Sequence, residues 1–345
     1  MVDATAAVGN RPPVLVDLSV SILSVGGTLS VGGFDATSSI GGFQVDHVLE
    51  LDVVTGAGNL VTCSQTRNAD LFNVVVHGLG QCGIIVRARM ELVPAPPHVT
   101  TLVLAYSDLS TYIADCRVVA TDQRFDALLG GANPKSSADV PWTFYLKASN
   151  FHAGAAPDPA RLLAGLKHLS FTSNTQTWLE YQHRYDALVE AQKRNGAWSR
   201  PHPKLILFVP ASAIEPFVRQ LLSNPEEFAW ATPSIYPLRT DRMKRPLTRM
   251  PRESVCFVVI IHRSAPSDFT QPDVEAIIRA NRALYERARG LGGKRHTIDA
   301  IPFSQADWID HYGPAVWRVF RDAKKRFDPN SVLTPGQGIF ASTDA

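Results

Sequence analysis

Apolar and polar residues alternate along several segments of the chain, which is the pattern of β-strands with one buried face. His47 to Val54 and Leu60 to Cys63 are such segments, and the glycine-containing turn at residues 55–59 between them predicts a hairpin. From Ile84 to Leu92 the even-numbered residues are all apolar, whereas the odd-numbered ones are mostly charged. This third segment predicts a strand with one polar side.

After a proline-rich segment at residues 94–97, strand-like runs alternate with segments whose apolar residues recur at helical spacing. This alternation predicts an α+β domain with a mostly antiparallel sheet over residues 99–296. The predicted strands are Thr101 to Tyr106, Trp142 to Lys147, Lys204 to Val209 and Ser254 to His262. The predicted helices are Asn68 to His77, Leu109 to Ala120, Pro159 to His168, Tyr181 to Asn195, Ala213 to Leu222, Asp273 to Gly290 and Gly313 to Phe327.

Two separated glycine pairs, Gly26-Gly27 and Gly32-Gly33, end a segment of alternating apolar and small residues. We interpret residues 14–35 as a strand followed by a tight loop. Glycines next to Thr28 and Ser30 allow a backbone to approach a phosphate closely, although an ordinary tight turn explains the same residues. The spacing matches neither the G-x-G-x-x-G motif nor a P-loop.

Charge and motif spacing exclude several classes of protein. The net charge is +2, and the densest basic run, Lys324-Lys325-Arg326, is typical of a solvated helix face rather than a nucleic-acid-binding patch. The four cysteines have no C-x-x-C spacing and the ten histidines form no H-E-x-x-H motif, so we expect no metal site. The first 13 residues lack the pattern of a signal peptide, and the longest apolar run, Val255 to Ile261, is too short to span a bilayer. We therefore expect a reduced, cytoplasmic protein that binds neither nucleic acid nor membrane.

Several long motifs follow one another along the chain: Ser24 to Ser30, Val48 to Gly56, Leu60 to Ser64, Gly78 to Arg89, Val93 to Pro96, His202 to Pro210 and Phe327 to Phe340. In this order they resemble the motifs of the cytokinin dehydrogenases, and the resemblance covers essentially the whole chain. It implies an α+β fold of the vanillyl-alcohol-oxidase type with FAD as the cofactor. A FAD-binding domain would be interrupted by a substrate (cap) domain that contains an antiparallel sheet.

The resemblance also implies how the chain is divided. Residues 1–96 would be the later half of the FAD-binding domain, residues 97–297 the cap domain, and residues 298–345 the return to the FAD-binding domain. The family has an amino-terminal subdomain with a Gly-His-Ser segment whose histidine bonds covalently to the flavin, and no Gly-His-Ser occurs in this sequence. We therefore expect the FAD-binding domain to be incomplete.

Functional residues carry over from the family by matching positions. Asp17 would be the catalytic base, although its spacing to Gly26 is two residues longer than in the family and an ungapped match would place Ser19 there. Substrate recognition would involve Leu129, Lys204 and Ile206, where the plant enzymes have Glu, Trp and Asn. The residues implied to contact FAD are Ser24, Gly26, Gly27, Thr28, Ser30, Phe34, Ile85, Thr334 and Gln337.

The expected reaction is oxidation of a secondary amine, such as an N6-isoprenoid adenine, by hydride transfer to flavin N5. Oxygen or a quinone would accept the electrons. Because Lys and Ile replace residues that bind an adenine ring, another amine is an open alternative. A related oxidase of an alcohol or sugar, and a truncated, non-catalytic fragment, are the others.

Overall fold

The computed structural model describes residues 23–93, 96–134 and 142–340. Its strands form two antiparallel sheets, a small one with the order β2-β1-β3 and a large one with the order β11-β8-β10-β9-β5-β6-β4-β7. The strands are β1 (Val48–Val54), β2 (Leu60–Ser64), β3 (Ile84–Met90), β4 (His98–Tyr106), β5 (Ala127–Pro134), β6 (Trp142–His152), β7 (Ser170–Thr177), β8 (Leu205–Pro210), β9 (Ala231–Arg239), β10 (Val255–Arg263) and β11 (Lys294–Arg295).

Eleven α-helices accompany these strands in the described residues. They are α1 (Val25–Ser30), α2 (Ser38–Gly41), α3 (Ala69–Val75), α4 (Leu109–Asp122), α5 (Pro159–Leu162), α6 (Trp178–Gln182), α7 (Asp186–Arg194), α8 (Ile214–Ser223), α9 (Gln271–Gly290), α10 (Gln305–Tyr312) and α11 (Pro314–Phe327).

The large sheet separates two hydrophobic cores. One core lies between the sheet and helices α4, α8 and α9, and contains alternate residues of β8 such as Leu205 and Leu207. The other core joins the opposite face, including Ile206 and Phe208, to the small sheet and helices α3 and α11. Because β8 is buried on both faces, its sequence is a continuous apolar run rather than an alternation.

The structure confirms most of the predicted elements and corrects several. The hairpin β1–β2 is present, and β10, α8 and α9 lie within one or two residues of their predicted bounds. The predicted helix from Pro159 to His168 is the single turn α5, and the predicted helix from Tyr181 to Asn195 is replaced by α6 and α7. Strands β5, β7 and β9 and helix α10 were not predicted.

The prediction for β3 holds at one end of the strand and fails at the other. Ala88 and Met90 pack against the second core as predicted, but Ile84 and Val86 are each 57% exposed and Ile85 packs against that core instead. The pairing of β1 with β3 shifts register between Asp52 and Val53, which is a β-bulge opposite residue 86. A bulge adds one residue to a strand and reverses the side to which the following residues point.

Candidate active site

The glycine-rich segment begins with a short helix, α1, where a tight loop was predicted, and most of the strand predicted before it lies outside the described residues. Ser24 is its N-cap, and Ser24 Oγ accepts a hydrogen bond of 3.2 Å from the Gly27 backbone N–H. Ser24 and Gly27 are exposed. A Cβ on Gly26 would lie 3.2 Å from the Ile85 carbonyl oxygen, so the glycine permits close packing of α1 on β3.

The hydroxyl residues of α1 point inward. Thr28 Oγ1 donates to Gln44 Oε1 at 2.6 Å, and Ser30 Oγ donates to the Gly26 carbonyl at 2.8 Å. At the end of the helix, the Ser30 carbonyl accepts from the Leu79 N–H at 2.8 Å. The last of these bonds holds α1 against the loop at residues 77–81.

The same loop contacts the closing segment of the chain. Gln81 Nε2 donates to Thr334 Oγ1 at 2.6 Å and approaches the Thr334 carbonyl at 3.2 Å. A Cβ on Gly80 would lie 3.1 Å from the Thr334 methyl group. Thr334 and Gln337 are exposed, and Thr334 has a left-handed backbone with φ of 43°. The helix α1, the loop at residues 77–81 and the closing segment thus form one continuous surface.

An aromatic cluster connects this surface to the large sheet. Phe34 stacks on Phe43 with ring centroids 5.2 Å apart, and its ring lies 5.8 Å from that of Phe208 in β8. The ring of His296 lies 5.1 Å from Phe34 and 5.4 Å from His77. The half-buried Phe34, expected to line the flavin, therefore lies where the glycine-rich segment meets the large sheet.

The face of the large sheet beside this cluster carries the expected substrate residues. Across neighbouring strands, Ile206 pairs with Ile260, Ile260 with Ser234, Ser234 with Gly131, and Gly131 with Tyr145. Side chains alternate along each strand, and the other face is packed by α4, α8 and α9. Ile206 and Tyr145 therefore share the face that turns toward α1.

Two further positions extend this face. Leu129, one pair further along β5, lies opposite Lys147 of β6. Lys204 lies immediately before β8, close enough to His262 of β10 for its charge to lower the pKa of that ring. The His262 side chain is exposed, and its Nε2 lies 2.9 Å from Ser234 Oγ.

Lys204 is half-buried, and burial lowers its pKa while the nearby Asp299 carboxylate raises it. Asp299 is buried, with Arg295 Nη2 2.8 Å from its Oδ1, but neither carboxylate oxygen has an aligned hydrogen-bond donor among the described residues. Burial raises the pKa of Asp299 to about 7, against the lowering effect of Arg295. His296 is buried nearby, and burial keeps its pKa well below the usual value.

An ion pair joins the segment after α1 to the segment before α7 at the other end of this face. Arg184 Nη2 lies 3.0 Å from Asp35 Oδ2, next to Phe34 in the sequence. The Arg184 guanidinium also lies 4.1 Å from the Tyr181 ring centroid and 4.8 Å from that of Tyr185. Sequence reasoning missed these residues, together with His296 and Asp299, because no local motif marks them.

The described residues fit FAD. Ser24, Gly27, Thr334 and Gln337 present hydroxyl, amide and main-chain groups at one exposed surface, as phosphate and ring-nitrogen recognition requires. Glycine at position 27 leaves room for the Ser24 hydroxyl, since a Cβ there would lie 2.8 Å from Ser24 Oγ, and the half-buried Ile85 offers an apolar contact beside α1. Asp17, the expected catalytic base, lies outside the described residues.

Comparison with known proteins identifies the family. Residues 158–340 match the family model described as "Cytokinin dehydrogenase 1, FAD and cytokinin binding". Cytokinin dehydrogenase 10 of Oryza sativa subsp. japonica is 33% identical over 92% of this chain and 65% of its own length. An uncharacterized oxidoreductase, ORF5 in the fasciation locus of Rhodococcoides fascians, is 34% identical over 97% of this chain and 76% of its own length. The chain belongs to the cytokinin dehydrogenase family.

Members of the cytokinin dehydrogenase family are FAD-dependent oxidoreductases, and the resemblance found in the motifs is therefore confirmed. A VAO-type flavoprotein from Myceliophthora thermophila C1 has a TM-score of 0.69 and 17% identity, and the match covers 96% of this chain and 63% of that one. This confirms the α+β, vanillyl-alcohol-oxidase-type fold. The chain spans about two thirds of the length of the plant cytokinin dehydrogenases that it matches.

Two expected absences concern the described part of the chain. None of its helices has the combination of length and apolar character needed to cross a bilayer. Within the same residues, no group of three or more His, Cys, Asp or Glu side chains could hold a metal ion.

Proposed function

We propose that this chain is the flavin- and substrate-binding part of an oxidoreductase that oxidises a secondary amine of the N6-isoprenoid adenine type. The observation that carries the proposal is the meeting of two surfaces at Phe34. The surface formed by α1, the loop at residues 77–81 and Thr334 fits FAD, and the cap-sheet face with Ile206 and Leu129 lies beside it.

When bound, FAD supplies the acceptor for a hydride from the carbon next to the amine nitrogen. Ser24 and Thr334 would hold the cofactor, and Ile85 would contact its ring system. The half-buried Leu129 would exclude water from the reacting carbon and position an isoprenoid or other apolar group against it, whereas Ile206 and Ile260, 2% and 9% exposed, belong to the core that supports this face. The proposed domain division, with the cap at residues 97–297, places these residues on the cap.

The proton of the amine nitrogen would be taken by the Asp17 carboxylate, since a carboxylate in an apolar cleft is a suitable base. Oxygen or a quinone is the proposed electron acceptor, and the cytoplasm the proposed location. The plant relatives are named cytokinin dehydrogenases, which supports cytokinin as the substrate class. Lys204 and Ile206, in contrast, offer an adenine ring neither a stacking partner nor a pair of edge hydrogen bonds.

The first test is the visible absorbance spectrum of the purified chain, before and after incubation with FAD. The proposal expects a flavin spectrum that N6-isopentenyladenine bleaches in the absence of oxygen. Gly27→Val should lower the FAD content while leaving the far-ultraviolet circular dichroism nearly unchanged, because its Cβ would lie 2.8 Å from Ser24 Oγ and displace the hydroxyl that caps the short helix α1. Gly154→Val is the matched control, since a Cβ at that exposed glycine meets nothing within 4 Å. A protein that stays colourless with FAD would overturn the proposal for this chain.

A further inference from the structure

The large sheet ends in two edges of different character. One edge is β11, which consists of only two charged residues, Lys294 and Arg295. The other edge is β7, which pairs with β4 over its whole length without a shift of register. Every residue of β7 is exposed except the half-buried Gln176. Proteins usually protect a long edge with a charged side chain or a proline, and β7 contains neither. The β7 edge is therefore open to another strand.

Two contacts show which backbone groups of β7 face away from β4. The Trp178 N–H, directly after the strand, donates to the Pro97 carbonyl at 3.0 Å, in register with the β4–β7 ladder. Backbone groups alternate between the two edges of a strand, so the even-numbered residues of β7 face β4 and the odd-numbered ones face outward. The hydroxyl groups of Thr175 and Thr100 lie 2.8 Å apart, which agrees with this parity because side chains approach most closely in non-hydrogen-bonded pairs.

The outward backbone groups are free at three successive odd positions of β7. At Thr177 the outward N–H is already used, because it donates to Glu180 Oε2 at 2.7 Å. The outward N–H and C=O groups of Phe171, Ser173 and Thr175 bond to no other group in the part of the chain that the structure describes. An incoming strand would thus find three consecutive donor and acceptor sites.

We propose that β7 forms the interface of a homodimer, in which the β7 strands of two copies pair antiparallel across a two-fold axis at Ser173. A strand that pairs antiparallel with itself makes an isologous contact, because each hydrogen bond formed by one copy is repeated by the other. With Ser173 opposite Ser173 of the second copy, Phe171 lies opposite Thr175. All three outward residues then take part, with about six backbone hydrogen bonds in total. Shifting the register by two residues leaves one of the three positions without a partner.

The side chains at this edge favour a second copy of the chain as the partner. Because β7 carries no charge, two copies do not repel each other along the strand. Phe171 is 42% exposed, and an aromatic ring opposite a β-branched residue such as Thr175 is a favourable cross-strand pair. The antiparallel arrangement also places the end of β7 that follows the exposed Lys167 beside the end that precedes the exposed Glu180 of the other copy. These two charges have opposite sign, so they assist the pairing.

The test is sedimentation velocity of the purified protein at concentrations from about 1 µM to about 1 mM, where an interface built mainly of hydrogen bonds should assemble. The wild type should pass reversibly from monomer to a species of twice its mass. Ser173→Lys and Ser173→Glu should each stay monomeric, because two like charges would face each other across the axis. An equimolar mixture of the two variants should form a heterodimer, since the facing charges are then opposite. Thr232→Lys, the same kind of change at an exposed position of the interior strand β9, should dimerise like the wild type.

A wild type that stays monomeric at every concentration would overturn the proposal, and so would a dimer that Ser173→Lys leaves intact. A mixture of the Lys and Glu variants that stays monomeric would also contradict it. Oligomers that keep growing with concentration would indicate a head-to-tail contact instead of a two-fold one. Ser173→Pro gives a second check: it removes an outward N–H without breaking a bond to β4, so it should abolish the dimer while the far-ultraviolet circular dichroism stays unchanged. None of these outcomes depends on the flavin, so this proposal and the proposed function fail separately.

Discussion

Lys324 Nζ lies 2.5 Å from Asp328 Oδ2, one helical turn away, and both side chains are buried. The same ammonium group donates to the Gln81 carbonyl at 3.1 Å and to the Leu333 carbonyl at 3.0 Å. Asp328 in turn accepts from the Val332 and Leu333 N–H groups at 3.0 and 2.9 Å. This one pair therefore ties the end of α11 to the loop at residue 81 and to the segment that carries Thr334.

Replacing Lys324 by methionine should destabilise the protein by about 3–5 kcal/mol, because the Asp328 carboxylate would remain buried without its cation. Lys325→Met is the matched control: it is the next residue, it is exposed, and it should cost less than about 0.5 kcal/mol. Urea unfolding of the two variants measures the difference. Equal stability of the two would show that the buried pair does not hold the closing segment.

The Asp328 carboxylate should also make the free energy of unfolding fall at low pH. Burial alone raises its pKa, but the hydrogen bonds from Lys324 and from the Leu333 and Val332 N–H groups lower the pKa below its ordinary value. A carboxyl with a depressed folded-state pKa contributes stability above its unfolded value of about 3.9, and that contribution is lost as the pH falls below it. Asp328→Asn should be less stable than the wild type at pH 7, and its free energy of unfolding should fall less steeply between pH 5 and pH 2, measured by unfolding across this range. An equal fall in the variant and the wild type would contradict the assignment.

Gly56 is required by the same carboxylate. A Cβ at position 56 would lie 2.0 Å from Asp328 Oδ1 and 2.4 Å from its Cγ. Gly56→Ala should therefore force the β1–β2 turn away from Asp328 and cost about 1–3 kcal/mol, the usual penalty for overpacking. Gly154→Ala, where a Cβ meets nothing within 4 Å, is the control and should be close to neutral. Thermal unfolding followed by circular dichroism compares the two, and similar melting temperatures would refute the steric argument.

His77 should make the protein sensitive to mild acid. Its ring is buried and hydrogen-bonded to Thr248 Oγ1 at 2.8 Å, and burial lowers its pKa to about 4. An unfolded histidine takes up a proton near pH 6.5 but the folded one resists it, so stability is fully present above pH 6.5 and falls as the pH approaches 4. The loss attributable to this ring amounts to about 3 kcal/mol.

The test is urea unfolding at pH 7 and pH 4.5 with His77→Asn, which also suits the left-handed backbone at φ of 60°. The variant should show a smaller loss of stability between these pH values than the wild type. His98→Asn, at an exposed position of β4, should keep the wild-type pH dependence. If His77→Asn retains the full loss, other groups titrate in this range.

The sequence predicts the fold best where a long segment keeps a single periodicity of apolar residues. The twenty-residue helix α9 and the buried strand β10 are examples, because apolar spacing alone distinguishes them. It fails at α1, where two glycines suggest a loop but the Ser24 cap and packing on Ile85 favour a helical turn. It fails again at β3, since a bulge cannot be read from the alternation of residues 84–92. It also missed β7, whose polar residues carry little periodic signal.

The residues of the candidate site also divide into those that the sequence predicts and those that it does not. Ser24, Ile85 and Thr334 were found through long motifs, and the structure places them on one surface through Gly26, Leu79 and Gln81. Their contact with FAD remains a prediction, as does the role of Asp17. The neighbours of Lys204 could not be predicted, because Asp299 and His296 lie more than 90 positions away along the chain. Only tertiary packing brings them beside the start of β8.

The ion pair between Arg184 and Asp35 should hold the large sheet against the glycine-rich segment. Both side chains are about 15% exposed and the two atoms are 3.0 Å apart, so the pair is largely shielded from solvent. Arg184→Met should cost about 1–3 kcal/mol, because hydrogen bonds to charged groups contribute roughly that much. It should also raise the KM for an amine substrate more than it lowers kcat, since the pair positions the residue next to Phe34 and lies away from the proposed reacting carbon. Lys193→Met, which breaks an exposed pair with Glu190 on α7, should cost less than about 0.5 kcal/mol and leave KM unchanged. Urea unfolding and steady-state kinetics of both variants check this, and equal effects of the two would show that the pair does not join the halves.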